Sequence, residues 1–126
     1  MITRKVDEPD GIIIVQSLGS ADMEDLDNHY ASLRAMIAEM REAKRPIRVL
    51  SDQRQATRLG HELNLHIKAQ IERTYKPGDR VALLMKTEED QRYAREILGV
   101  VDWAVFNSRH AAEIWLVQID QKPPAG

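Results

Sequence analysis

The chain reads as an α/β domain built on a mostly parallel sheet, and three observations predict this. Short runs of β-branched and aliphatic residues alternate with longer stretches whose apolar residues recur at steps of three and four. Glycine or proline punctuates most of the changes between the two patterns. The connections are short, so successive strands join through right-handed crossovers and lie parallel. The predicted order is β-β-α-β-α-β-α-β-α, about five strands with about four helices. It forms a single domain over residues 1–120, followed by a flexible tail at 121–126.

Thr3 to Val6 is the expected edge strand, turning through Glu8-Pro9-Asp10-Gly11 into Ile12-Ile13-Ile14-Val15. That second run is β-branched throughout, with Gly11 before it and Gly19-Ser20 after Leu18, as in a strand buried on both faces. Ser20 is the expected cap of the next helix, with Asp22, Glu24 and Asp25 at the positive end of its dipole. Leu26, Tyr30, Leu33, Ile37 and Met40 form its apolar stripe, and Pro46 forbids continuation. The basic run from Arg41 to Arg48 reads as a solvated helix end. It lacks the aromatic platform of a nucleic-acid site.

Ile47 to Leu50 is the next expected strand, ending at Ser51-Asp52 in a polar turn. Leu59, Leu63, Ile67, Ile71 and Tyr75 mark a second helix, stopped by Lys76-Pro77-Gly78-Asp79. Arg80 to Met85 is a third buried strand. Thr87 caps a helix with Glu88, Glu89 and Asp90 in its first turn, Tyr93, Ile97 and Leu98 inward, and Gly99 at its end. Val101 to Phe106 is the last strand. Asn107-Ser108 caps a final helix whose apolar face is Ala112, Trp115, Leu116 and Ile119.

Composition narrows the function. A chain of 126 residues can build a core without staples. With 18 basic and 20 acidic residues, it has no sequence-wide electrostatic reason to bind nucleic acid or anionic membranes. The absence of cysteine removes disulfides, thiolate metal sites and cysteine nucleophiles, and fits a reducing compartment. Ile12 to Val15, the longest aliphatic run, falls far short of the roughly 20 residues of a membrane helix. With no signal core at the N-terminus, the expected location is cytoplasmic.

No motif for catalysis, metal binding or a nucleotide cofactor emerges. His61 and His66 lie five residues apart, about 140° around a helix at about 100° per residue, and so cannot share a metal as the two histidines of His-Glu-x-x-His do. His29 and His110 are expected to face solvent or cap helices. The Gly-x-Ser-x-Gly elbow is absent, and Leu18-Gly19-Ser20 lacks the glycine-rich patterns that cradle phosphates. For Trp103, Phe106 and Trp115, core packing is the simpler reading. The alternative is that one of them, with Met36, Met40 or Met85, lines an apolar pocket or dimer surface.

Three stretches resemble the SpoIIAA-like proteins, a branch of the STAS superfamily sometimes labelled STAS/SEC14-like. They are the Gly11-flanked strand with the helix carrying Tyr30 and Leu33; Val49-Leu50-Ser51-Asp52-Gln53-Arg54; and Asp79 to Leu83 with Phe106 and Ala112 to Leu116. The resemblance implies a single STAS-like domain acting as a non-enzymatic regulatory or binding module through protein contact. Antagonists of this type carry a phosphorylatable serine after an aspartate, in a pattern like Asp-Ser-[Ser/Thr]-Gly. Asp52 matches the aspartate, but Gln53 and Arg54 follow it and neither accepts phosphate from a serine kinase. Ser51 and Thr57 are the nearby hydroxyls and hence the candidate phosphosites.

The expected binding face therefore holds Asp52, Arg54 and Thr57, with Ser20 or Asn107 and Ser108 as neighbours. Asp52 has two readings. It orients a polar ligand with Arg54 at the strand's carboxyl end, or it only accepts backbone hydrogens in a turn. The expected partner is another protein or a second copy of the chain. The alternative function is a carrier or sensor of a lipid-like or other apolar small molecule, held between helices and sheet.

Overall fold

The strand–helix alternation is realised in the predicted order. In a computed structural model, residues 1–97 and 102–118 are described. The elements are β1 (Ile2–Asp7), β2 (Ile12–Gly19), α1 (Met23–Glu42), β3 (Arg48–Ala56), α2 (His61–Thr74), β4 (Arg80–Leu84), α3 (Glu88–Ile97), β5 (Asp102–Phe106) and α4 (Arg109–Val117). The sheet runs β1-β2-β3-β4-β5, antiparallel between β1 and β2 and parallel thereafter. Crossovers of one hand stepping in one direction place α1, α2 and α3 on the same face. The last helix, α4, covers the other.

Side-chain alternation divides the strands between two cores. Ile13, Val15, Val49, Val81 and Leu83 pack under α1 to α3 with Leu26, Leu33, Ile37 and Ile71. Ile12, Ile14, Leu50, Ala82 and Leu84 pack against Ala112 and Leu116 of α4. Leu33, Leu50 and Leu116 are at most 1% exposed, and full burial of such a side chain is worth about 1.5–3 kcal/mol. Phe106 and Trp115 lie 5.9 Å apart between ring centroids and are half-buried beside the second core, while Trp103 packs on the first.

Four expectations are corrected. Asp22, not Ser20, caps α1. It forms a reciprocal box in which the Asp25 amide donates to Asp22 Oδ1 at 2.8 Å and the Asp22 amide to Asp25 Oδ2 at 3.0 Å. The reason is that β2 runs on to Gly19 and absorbs the residues read as a turn. Nor does β3 end at Ser51-Asp52; it continues to Ala56 because the longer β2 offers it partners, with Gln16 opposite Asp52 and Gly19 opposite Ala56.

The basic run from Arg41 to Arg48 is not a solvated helix end either. Arg41 forks onto the buried Asp79 at 2.6 and 3.0 Å, Arg45 forks onto Glu8 at 2.6 and 3.1 Å, and Arg48 donates to the Asp10 carbonyl at 3.0 Å. These clasps fasten the end of α1 to the two turns beneath it. Gly11, at φ +66°, lies so close under Arg45 that a Cβ there would sit 2.3 Å from Nη2. Lastly, His29 is buried rather than solvent-facing, at 7% exposure.

Thr87 accepts from the Asp90 amide at 3.1 Å and Ser108 from the Ala111 amide at 3.4 Å, so both act as caps. The expectations for Leu98, Gly99, Val101, Ile119, the tail at 121–126 and the inward side chain of Ile97 fall outside the described residues.

Asp79 also accepts from the Lys76 amide at 2.8 Å, so one carboxylate organises the turn and anchors the helix. Asp79→Ala is expected to cost about 2–3 kcal/mol, since it leaves a turn amide and a guanidinium without their acceptor. Adding Arg41→Ala should cost less than about 1 kcal/mol more. Urea denaturation of the two single variants and the double variant checks both values.

Candidate functional site

The sheet face under α1, α2 and α3 does not close completely, and a cavity of about 320 Å³ remains between sheet and helices. Leu33, Val49, Ile71, Tyr75 and Val81 make its apolar wall. Along the strands the floor then changes character: Val15 gives way to Ser17 on β2, and Val49 to Ser51 and Gln53 on β3. The Gln53 amide donates to Ser17 Oγ at 3.0 Å and to Ser51 Oγ at 2.8 Å. The register shifts here, so that Gln53 and Arg54 together stand opposite Ser17. This is a bulge, a device that bends a strand and re-aims its side chains.

Ser20, Thr57, Arg58, Lys86, Asp90 and Tyr93 line the outer part of the cavity. Arg58 reaches Asp90 at 2.8 Å and Glu89 at 3.4 Å, and its guanidinium sits 5.0 Å from the Tyr93 ring centroid. Tyr93 donates its hydroxyl proton to Asn64 Oδ1, and the Asn64 amide donates to the Leu59 carbonyl at 3.2 Å. The β3–α2 connection is thereby tied to α3. On the opposite side, Met1 joins the wall through its ammonium, 2.7 Å from the Leu18 carbonyl.

The structure divides the predicted site residues. Ser20, Ser51, Arg54 and Thr57 line the cavity, whereas Asp52, Asn107 and Ser108 do not. Asp52 shares the sheet face of Leu50 and accepts from Arg54 Nε at 3.0 Å, Nη2 at 2.9 Å and the Arg54 amide at 3.1 Å. The Arg54 hydrogen bond holds the Asp52 carboxyl below the usual carboxylate range, and the Arg109 charge acts in the same direction. Asp52 does bond a backbone amide, but it caps no helix: α2 starts beyond Gly60.

Sequence reasoning missed Ser17, Gln53 and His29 as wall residues. The signal for Gln53 was present, since Val49, Ser51 and Gln53 are alternate residues and share a face once the strand is continued. His29 Nδ1 lies 3.1 Å from Arg4 Nη1. A guanidinium only donates, so Nδ1 accepts and the ring proton sits on Nε2. Burial, with the Arg4 charge adding to it, pushes His29 down to about 4. Among the described residues no three histidine, aspartate or glutamate side chains cluster as a metal site.

His29 is protonated at 6.5 when unfolded but only at about 4 when folded, so its contribution to stability is complete above 6.5 and is lost as pH falls through that window. Between pH 6.5 and 4, the wild type should lose about 3 kcal/mol more than His29→Leu. Urea midpoints measured across that range read the difference.

No protein-family model and no curated protein sequence matches the chain. Solved structures do. An uncharacterized protein of the DUF3478 family with a SpoIIAA-like fold, from Shewanella loihica PV-4, aligns over 92% of each chain at 20% identity with a TM-score of 0.65. An anti-sigma factor antagonist from Mycobacterium paratuberculosis aligns over 94% of this chain and 96% of its own, at 16% identity and a TM-score of 0.63. Together with the element order and the sheet topology, these likenesses identify the fold: this chain is a SpoIIAA-like domain of the STAS type.

Proposed function

We propose that the protein is a non-enzymatic binding module that holds a small, largely apolar molecule between its sheet and α1 to α3. The cavity carries this reading. Its 320 Å³ falls at the lower end of small-molecule pockets, roughly 300–1,000 Å³, and an apolar wall with a few placed polar groups is their usual make-up. The side-chain pairing supports a non-catalytic role. His29 is engaged by Arg4, and Ser17 and Ser51 by Gln53, so no serine in the wall has a histidine base.

A neutral apolar dye such as N-phenyl-1-naphthylamine should bind with a micromolar dissociation constant. Ala94→Phe, which adds bulk from α3 into the cavity, should weaken it at least about tenfold with little change in melting temperature. Native mass spectra of freshly purified protein should carry a co-purified adduct. Bare protein in every preparation, together with dye binding unaffected by Ala94→Phe, would count against the reading.

A second reading, protein contact without a phosphoswitch, is favoured by the likeness to the antagonist structure. Gln53 stands where the phosphoacceptor would follow the aspartate, and its amide is bonded within the cavity floor. Of the candidate phosphosites, Ser51 accepts from that amide inside β3, while Thr57 is exposed near the mouth. The Asp52–Arg54 pair is the contact this reading would use. Replacing both by alanine should weaken partner capture by about tenfold and leave dye affinity unchanged. A fall in melting temperature of more than about 5 °C would instead make the pair a structural fastening.

A further inference from the structure

We propose that the molecule in the cavity carries an uncharged hydrogen-bonding head, a hydroxyl or primary amide, seated on Ser17, Ser51 and Gln53. This rests on the cavity being a binding site. The argument starts from hydrogen-bond capacity. Gln53 Nε2 directs its two protons at two hydroxyl oxygens, at 3.0 and 2.8 Å. Each serine oxygen is then an acceptor with its own proton left to donate, and no described residue takes that proton. Gln53 Oε1 accepts from no described donor. Among the described residues no sealed side-chain nitrogen or oxygen lacks a partner, so the open amide oxygen is reached from open space.

Two hydroxyl donors and one carbonyl acceptor therefore converge on the cavity floor. A head that both accepts and donates satisfies all three. A carboxylate would take the two serine protons but set its lone pairs against Oε1. An ammonium would satisfy Oε1 and face two further donors. The surrounding charges favour neither ion, since Arg54 is engaged by Asp52, and Arg58 by Glu89 and Asp90. At the mouth Lys86 is balanced by Asp90, and His29 in the wall is held neutral beside Arg4. Desolvating an ionised head on this floor would have no compensating partner.

The test is a set of amphiphiles with one chain and different heads: 1-decanol, decanamide, decanoate and decylamine, each titrated by displacement of the neutral dye. Decanol and decanamide should bind at least about tenfold more tightly than the two ions. Gln53→Leu should reduce that preference to within about twofold while leaving dye affinity intact. Should Gln53→Leu not fold, Ser17→Ala at the end of β2 should lower decanol affinity alone. Decanoate or decylamine binding as tightly as decanol, or a preference that survives in the variant, overturns the inference while the cavity reading stands. If neither dye nor amphiphile binds, both fall together.

Discussion

A strand can carry polar side chains between two paired neighbours only when those side chains satisfy one another. The latter half of β3 depends on that condition. Gln53 bonds Ser17 and Ser51 on one face, and Arg54 closes on Asp52 from the next residue. With these bonds made, β3 outlasts its apolar run and stays paired with β2 as far as Ala56. The connection to α2 therefore leaves the sheet late, beside α3 rather than at Ser51. That displacement opens the space beneath the three helices.

The opposite end of the molecule is built on the reverse principle. There the apolar strands are packed on both faces, and the turns below them are held by charge. Arg41, Arg45 and Arg48 descend from the end of α1 and its connection to β3 onto Asp79, Glu8 and the Asp10 carbonyl. The Asp79 pair is the one removed from water, at 6% side-chain exposure for the carboxylate, and has most influence on stability. The exposed Arg45–Glu8 pair holds position more than it stabilises. The STAS-type frame is thus rigid at one end of the sheet and hollow at the other.

Element order, both cores and most helix boundaries were legible because they follow from periodicity and from proline and glycine placement. Leu26 to Met40 and Ile12 to Val15 are patterns with one solution each. Ser51 to Ala56 was not legible. Six residues without a large apolar side chain look like a loop when their partners cannot be seen, and Ser17, which meets Gln53, lies 36 positions away. His29 failed for a related reason: a histidine one position from the apolar stripe is read as exposed, unless an arginine on the neighbouring edge strand is known to meet it. Local pattern reveals faces, and long-range pairing decides what the polar faces do.

The bulge at Gln53 and Arg54 gives the domain an arithmetic constraint. Two residues there stand against one on β2, and everything from Gln55 to the start of α2 is aimed by that surplus. A substitution at either position alters one side chain. Loss of one residue would draw the strands into even pairing and turn the following side chains to the opposite faces. The entrance to the cavity is hung on a count, so this stretch of chain should tolerate changes of spelling far better than changes of length.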